Sequence, residues 1–264
     1  MTRTGVGPPL RIATTGGVAQ TDVDYAQRKV EHVLARVGRP VPYARLRLSF
    51  AGDPAVSRPA HAQVNVDVDG RLVRAQVGAA TMHEAADLVQ ARLADKLARA
   101  ARSWESLRGG RPVAEPGQWR HQSIPAQRPE YFPRPRAERR IIRHKAFAVA
   151  RETVDEAAFD MEMADYDFFL FTDATTGVDC LLDRGGPGSY RVTGTRTARH
   201  EPTGCSVPVA VCPDRPSRLT ATAAARRLSL TGAAYLFFID RGTGRGNVVY
   251  HRYDGHYGLI TPVR

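Results

Sequence analysis

Hydrophobic and polar positions along residues 10–102 alternate with two different periods. Every second residue is apolar in 45–50 and 63–68, the period of a β-strand with one buried face. Every third or fourth residue is apolar in 21–37 and 81–102, the period of an amphipathic helix. The apolar helix positions are Val23, Ala26, Val30, Val33, Leu34 and Val37, then Ala85, Leu88, Val89, Leu93, Leu97 and Ala101. These periods predict two helices and a sheet around one core.

Turn and cap residues divide this segment into six elements. Leu10–Thr15 is a further strand candidate, and Asp69-Gly70 is a two-residue hairpin signal before a strand at 72–77. The expected helix caps and stops are Thr21 or Asp22, Gly38, Pro40 and Thr81. The order β-α-β-β-β-α predicts an α+β domain over residues 1–102, with both helices on one face of a four-stranded sheet.

Residues 103–140 form a Pro- and Arg-rich segment that we interpret as a linker. Its prolines are Pro112, Pro116, Pro125, Pro129, Pro133 and Pro135. Its aromatic residues are Trp104, Trp119, Tyr131 and Phe132. Two roles are open for these aromatic side chains: stacking on RNA bases, or docking back on the neighbouring domains.

The remaining chain contains an internal repeat with a constant offset of 67 residues. Thr153 aligns with Thr220, Asp173 with Asp240, and Tyr190 with Tyr257. We therefore define a first module, residues 141–200, and a second module, residues 201–264. Each reads as a capped helix followed by an aromatic strand, a Gly-containing turn and another strand. A unit this small needs a partner to bury its aromatic face, so we predict that the modules pair through their strands. The expected pairing residues are Phe168, Phe169, Phe171, Leu181, Tyr235, Phe237, Phe238, Val248, Tyr250 and Tyr257.

The charge of the chain favours a polyanionic partner. Lys and Arg number 38 against 27 Asp and Glu, a net charge of +11. No stretch reaches the roughly 20 apolar residues that span a bilayer, and no secretory signal is recognisable at the start. Three cysteines without a CxxC pair fit a reducing cytoplasm. We therefore expect a cytoplasmic protein without a membrane partner.

Basic side chains repeat along the second predicted helix at spacings that place them on one stripe. With basic residues of the first helix and the preceding strand, they form a candidate grip on RNA phosphates. The candidate residues are Arg28, Lys29, Arg71, Arg74, Arg92, Lys96, Arg99 and Arg102. Arg71 and Arg74 lie on opposite faces of their strand, so only one of them is expected to join this surface.

Nothing in the sequence has the spacing of a catalytic or metal site, so we expect no enzyme activity, metal or cofactor. The acidic group around Asp160, Glu162, Asp165 and Asp167 is interpreted as a solvated face. Residues 242–246 are glycine-rich but lack the lysine and following helix of a phosphate loop, so we expect a hairpin turn. His251 and His256 have no further ligand at metal spacing.

Several motifs resemble those of the long-type ribosome hibernation promoting factors. The sequence VVYHRYDGHYGLI at 248–260 is similar to the closing motif of that family, and DFFLF at 167–171 is similar to its aromatic strand. IIRHKAF at 141–147 resembles the entry to the same domain, and MHEAAD at 82–87 resembles the start of the last N-terminal helix. Asp95 departs from that helix, since a basic residue is common there.

The resemblance implies a function. An N-terminal domain of this family binds the decoding region of the small ribosomal subunit, contacts 16S rRNA, and blocks mRNA and tRNA binding on idle 70S ribosomes. The C-terminal domain self-associates and can join two ribosomes into a 100S dimer.

This chain carries two C-terminal modules where the long type carries one. The first is net acidic and the second net basic. We therefore expect them to pair within one chain, giving a monomer that binds single ribosomes without forming 100S dimers. Two alternatives are open: a dormancy or stress regulator whose modules bind a non-ribosomal protein, and an enzyme that acts on RNA.

Overall fold

The computed structural model describes residues 10–52, 57–108, 134–186, 189–196, 205, 207–252 and 254–263, with the backbone alone at 103–108 and 186. Most of the predicted linker, the side chain of Trp104, and Trp119, Tyr131, Phe132 and Tyr253 lie outside the described residues. Two compact units are formed. Unit 1 contains the described residues up to 108 together with Glu162–Tyr166, and unit 2 contains the other described residues from 134 onward.

Unit 1 has the predicted α+β fold. Its elements are β1 (Leu10–Thr15), α1 (Gln20–Leu34), β2 (Tyr43–Phe50), β3 (Ala60–Val68), β4 (Arg71–Ala79) and α2 (Met82–Arg108). The strands lie in the order β1-β2-β3-β4, with β1 parallel to β2 and the other pairs antiparallel. Every second residue of β2 and β3 is buried, and α2 packs on β3 and β4. One face of the sheet is therefore covered by helices.

The turns of unit 1 follow the predicted chemistry, with one exception at a helix cap. Asp69 and Gly70 adopt φ values of 55° and 82°, as a tight hairpin turn requires. The Thr81 hydroxyl accepts from the Glu84 N–H at 3.2 Å, which caps α2 as expected. The prediction that Thr21 or Asp22 caps α1 was wrong. Ala19 holds the N-cap position without a side-chain hydrogen bond, because the helix begins one residue before Thr21.

The helix bounds and core faces differ from the predictions at a few positions. α1 ends at Leu34, three residues before Val37, whereas α2 continues to Arg108. Leu88 is 43% exposed, and Ala100 replaces the exposed Ala101 in the core. At 3.6 residues per turn, Leu88 and Ala101 fall at opposite edges of the stripe formed by the buried Val89, Leu93 and Ala100.

Unit 2 contains two five-stranded sheets built from the two modules. The elements of the first module are β5 (Ile141–Phe147), β6 (Arg151–Glu152), α3 (Val154–Met163), β7 (Phe168–Asp173), β8 (Asp179–Gly186) and β9 (Ser189–Gly194). Those of the second are β10 (Val209–Val211), β11 (Arg218–Leu219), α4 (Ala221–Thr231), β12 (Tyr235–Asp240), β13 (Gly246–His251) and β14 (Tyr257–Pro262). The sequence offset of 67 thus relates helix to helix and strand to strand.

The two modules exchange their first strands. The sheet orders are β10-β9-β8-β7-β6 and β11-β12-β13-β14-β5. β5 of the first module pairs in parallel with β14 of the second, and β10 of the second pairs in parallel with β9 of the first. Each sheet is therefore completed by a strand from the other module, which the repeat alone did not predict.

The side chains of the second sheet point alternately to two apolar faces, one covered by α4 and the other by the first sheet. In the second sheet, Phe238 and Val249 pack with Leu228 of α4. The intervening residues Phe237 and Val248 point to the opposite face, where they contact the first sheet. The period-two alternation is thus used to bury both faces of a strand.

Candidate nucleic-acid interface and pairing surface

The uncovered face of the unit 1 sheet carries a row of arginines. Alternation along β2 places Arg45 and Arg47 opposite the buried Leu46 and Leu48, and both arginines are exposed. In the parallel register, Arg11 of β1 lies directly beside Arg45. We call this surface, with Arg74 of β4, the open arginine face.

Amide side chains of β3 lie between the arginines of β2 and Arg74 of β4. Asn65 lies between Arg45 and Arg74 in the sheet register, and its Oδ1 accepts from Arg74 Nε at 2.9 Å. Gln63 donates to the same oxygen at 3.1 Å. The face therefore combines cationic groups with amide donors and acceptors, a composition suited to phosphate, sugar and base edges.

Like charges side by side on neighbouring strands destabilise a sheet. The placement of Arg11 beside Arg45 in the register of β1 and β2, and the spacing of Arg45 and Arg47 along β2, therefore carry an electrostatic cost in the free protein. A polyanion on this face would remove that cost. Strand alternation in the sequence indicated the orientation of Arg45 and Arg47, but their clustering with Arg11 depends on the strand order.

The sequence-predicted basic stripe is divided by the fold. Arg28, Arg71 and Arg102 are exposed and Arg99 is half-buried. Lys29 is ion-paired with Asp87 at 2.8 Å, and this hydrogen bond raises the pKa of the lysine. These side chains belong to the helix-covered side of unit 1, whereas Arg74 belongs to the open arginine face.

Lys96 is enclosed within unit 1 and is 1% exposed. Its Nζ donates to the carbonyl oxygens of Arg74 and Glu162, each at 2.7 Å, and lies 3.0 Å from Asp165 Oδ1. Burial lowers the pKa of Lys96 to about 8, against the opposing attraction of Asp165. Arg92 also pairs with Asp165. Lys96 therefore binds β4 and residues 162–165 inside unit 1, and its ammonium group does not face solvent.

The interpretation of the acidic group as a solvated face was wrong for two of its members. Glu162 is 5% exposed and Asp165 is 1% exposed. Asp165 also accepts the backbone N–H of Gln76 at 3.2 Å, which satisfies a donor at the edge of β4. The reason is local: Asp165 adopts φ 54°, and this left-handed turn directs the carboxylate toward the arginine and lysine of α2.

The modules of unit 2 meet through side chains that repeat across the two sheets. Leu170 and Leu181 of the first sheet form a buried cluster with their equivalents Phe237 and Val248 of the second. The rings of the equivalent residues Phe168 and Tyr235 lie 4.5 Å apart. We call this contact the pairing surface.

The predicted pairing residues fall on both faces of the sheets. Phe168, Leu181, Tyr235, Phe237, Val248 and Tyr250 lie at the pairing surface. Phe238 and Tyr257 lie instead in the core beneath α4. Phe169 and Phe171 alternate with Leu170 and therefore point away from the pairing surface. Leu170 was missed, although the same alternation would have selected it.

Polar contacts also cross the pairing surface. The Asp179 carboxylate accepts from Arg245 Nε at 2.7 Å and Nη2 at 3.0 Å. Burial raises the pKa of Asp179, but the hydrogen bonds from Arg245 and the Gly246 N–H outweigh it and hold the pKa below its usual value. The Tyr235 hydroxyl donates to Asp183 at 2.8 Å, and burial together with this carboxylate raises the tyrosine pKa.

The other candidate groups form structural contacts. Residues 242–246 form the expected turn, in which Asp240 Oδ1 accepts the N–H groups of Gly242 and Thr243 at 3.0 and 2.9 Å. Burial raises the pKa of the Cys180 thiol to about 12, which disfavours the reactive thiolate. Among the described residues, no three His, Cys, Asp or Glu side chains come together as a metal site. In the same part of the chain, no helix combines the length and apolar character needed to cross a bilayer.

Comparisons with known proteins find a family for the C-terminal modules and relatives over most of the chain. A family model described as "Sigma 54 modulation/S30EA ribosomal protein C terminus" matches residues 136–192 and 214–259. A "Dormancy associated translation inhibitor" of Mycobacterium tuberculosis is 32% identical over 97% of this chain and 89% of its own length. A "Ribosome hibernation promotion factor" of Picosynechococcus is 24% identical over 69% of this chain and 94% of its own length. The solved N-terminal domain of Thermus thermophilus Protein Y is 24% identical, with a TM-score of 0.28 over 36% of this chain and 98% of that domain.

Proposed function

Because this chain belongs to the family of ribosome hibernation and dormancy-associated translation inhibitors, we propose that it silences single idle ribosomes by binding the small subunit. Unit 1 binds 16S rRNA in the decoding region, where it excludes mRNA and tRNA. The observation that carries this proposal is the open arginine face, on which Arg11, Arg45 and Arg47 are exposed on one side of the sheet, next to the half-buried Arg74, whose guanidinium lies over Tyr166.

The physical argument is one of charge and preorganisation. Arginine binds phosphate oxygens through a planar fork of donors, and strands hold the guanidinium groups at fixed spacing. The cost of placing Arg11 beside Arg45 is recovered when RNA phosphates bind between them and the arginines displace the counterions condensed on those phosphates. The exposed Arg28 and Arg102 of the helix-covered side provide a second, smaller basic surface.

The pairing surface supports the second half of the proposal. The apolar face of each module is covered by the other module of the same chain, and each entry strand is used within the same unit. The protein is then a monomer whose C-terminal modules pair in cis. Such a chain has no vacant pairing face with which to join a second ribosome into a 100S particle.

Cosedimentation of the full chain with purified 30S subunits over a range of salt concentrations tests the rRNA contact. We expect the Arg45→Ala/Arg47→Ala variant to bind more weakly and to lower the slope of log affinity against log salt by roughly 2, about 1 for each phosphate contact removed. The matched control is Arg36→Ala, an exposed arginine of unit 1 outside both basic surfaces.

The Arg28→Ala/Arg102→Ala variant compares the two basic surfaces directly. A larger loss of affinity in this variant than in Arg45→Ala/Arg47→Ala would assign the rRNA contact to the helix-covered side. Wild-type affinity and slope in both double variants would refute an rRNA contact through either surface.

A further inference from the structure

Equivalent positions of the two modules carry different chemistry at the centre of the pairing surface. In the repeat, Asp179 is equivalent to Gly246, and Val178 is equivalent to Arg245. Asp179 and Gly246 nevertheless face each other directly, because the Gly246 N–H donates to Asp179 Oδ2 at 2.9 Å. The guanidinium of Arg245 closes on the same carboxylate, whereas the equivalent Val178 offers no charge. This contact therefore has no symmetric counterpart.

Gly246 leaves no room for a side chain opposite Asp179. A Cβ at this position would lie 3.0 Å from the Cβ of Asp179, tighter than most Cβ contacts in real structures, and 2.8 Å from a ring carbon of Phe237. A pair of two first modules would place Asp179 opposite Asp179, in the positions that Asp179 and Gly246 now hold. That pair would crowd the two Cβ atoms and would bring two buried carboxylates together, with Val178 in place of the guanidinium of Arg245.

Two second modules would be mismatched in the opposite sense. Glycine would face glycine, and the two Arg245 side chains would converge without the carboxylate that now binds both nitrogens of one guanidinium. The two half-buried guanidinium groups would repel each other without that carboxylate between them. Like-module pairs of either kind therefore lose the central contact and gain repulsion.

A second asymmetric contact acts in the same direction. Asp183 is equivalent to Tyr250, and Phe168 to Tyr235. The Tyr235–Asp183 contact is a hydrogen bond of 2.8 Å, whereas its repeat counterpart, Phe168–Tyr250, is an apolar contact between rings 6.2 Å apart. In a pair of first modules, Asp183 would face Phe168 twice and would lose its hydroxyl donor.

We infer that Asp179 of the first module and the Arg245-Gly246 dipeptide of the second form a recognition code that permits only unlike modules to pair. The partner that fits the first module is a module with arginine and glycine opposite Asp179, which the second module of the same chain supplies. This inference rests on the proposed pairing in cis and adds the residues that decide it. The code works by repulsion against like pairs as well as by attraction within the unlike pair.

Charge reversal in the full-length protein tests the code. In an Asp179→Arg chain, two guanidinium groups oppose each other, and in an Arg245→Asp chain, two carboxylates do. Each variant alone should show a lower melting temperature than the wild type. When the two variants are coexpressed with different tags, the first module of each chain meets a complementary second module of the other. We expect a 1:1 dimer of twice the chain mass by light scattering after size exclusion.

The double variant Asp179→Arg/Arg245→Asp provides the rescue, since the charges are again opposite within one chain. It should return to a monomer with most of the wild-type melting temperature. The matched control is Arg226→Asp, because Arg226 is an exposed arginine of α4 in the second module, on the side of the sheet away from the pairing surface. Coexpression of this variant with Asp179→Arg should give no 1:1 dimer. Wild-type melting in both single variants, with no dimer on coexpression, would overturn the code.

A double-mutant cycle with conservative substitutions tests the recognition code if the charge-reversed variants do not fold. Asp179→Asn, Arg245→Gln and their combination keep the side-chain volumes, and urea denaturation should show a coupling of about tenfold in the unfolding equilibrium constant. Additive effects would overturn the code. The wild-type mass tests the underlying proposal separately: a wild-type dimer would refute pairing in cis, whereas a wild-type monomer without coupling would refute the code alone.

Discussion

At the scale of single residues, the structure assigns Asp165 a role that its surroundings in the sequence conceal. The residue lies in a strongly acidic stretch, yet it is 1% exposed and accepts from Arg92, Lys96 and the Gln76 N–H. Aspartate tolerates its left-handed φ of 54° better than most residues. One carboxylate thus compensates two buried or half-buried cations.

Replacing Asp165 should therefore destabilise unit 1 more than replacing an exposed acid. We expect Asp165→Ala to lower the free energy of unfolding by about 3–5 kcal/mol, because the buried Lys96 ammonium loses its counter-charge. Asp165→Asn should cost less, since asparagine keeps the turn and an acceptor oxygen. Urea denaturation followed by circular dichroism measures both.

Asp87→Ala is the control for this prediction. Asp87 forms an exposed ion pair with Lys29, and such pairs contribute little to stability. If Asp165→Ala were as mild as Asp87→Ala, the role assigned to the buried carboxylate would be wrong.

At the scale of elements, the two modules cap equivalent helices with equivalent threonines but by different means. Thr220 Oγ1 accepts the Ala223 N–H at 3.2 Å at the start of α4. Thr153 Oγ1 accepts the Glu156 N–H at 3.3 Å, and the Glu156 carboxylate in turn accepts the Thr153 N–H at 2.9 Å. α3 therefore begins with a reciprocal capping box, whereas α4 has a single cap.

The helix starts allow a matched test within one chain. Thr220→Ala should lower the free energy of unfolding by about 1 kcal/mol, the usual contribution of an N-cap. Thr153→Ala should cost more, because Glu156 also loses its hydroxyl donor at 3.0 Å. Guanidinium denaturation compares the two midpoints. An equal or smaller loss in Thr153→Ala would contradict the additional contribution of the capping box.

At the scale of the whole molecule, the strand exchange ties the two modules of unit 2 into one folding unit. β5 and β10 each complete the sheet of the other module, so neither sheet contains all its strands from one module. Together with the apolar pairing surface, this exchange favours pairing of the two modules within one chain over pairing between two chains. The loop-closure cost of pairing two modules already joined by a chain is small compared with that of association between molecules.

The proposed pairing in cis predicts the behaviour of ribosomes. Purified protein added in excess to 70S ribosomes should shift no material into a 100S peak on sucrose gradients, while the protein itself cosediments with 70S or 30S particles. Ribosomes without the protein provide the baseline. A robust 100S peak that depends on the protein would contradict pairing in cis.

The amino-acid sequence by itself determined the local elements and the internal repeat. Alternation around Leu46 and Leu48 predicts β2, Asp69-Gly70 predicts the hairpin, and Thr81 predicts a helix start. The repeat predicts a capped helix in each module, and the caps are Thr153 and Thr220. These features depend on neighbours a few residues apart, so the chain carries their signals locally. The family motifs are contiguous stretches of sequence, so they could also be recognised without the tertiary structure.

Only the tertiary structure decided which distant residues meet. Arg11 lies beside Arg45 because β1 and β2 pair in parallel, although α1 separates them in the sequence. Lys96 is buried because Asp165, 69 positions later in the chain, belongs to the same unit. The exchange of β5 and β10 and the closure of Arg245 on Asp179 likewise depend on strand order and not on period. Periodicity specifies which face of an element is apolar, but the element that covers this face is selected by packing over the whole chain.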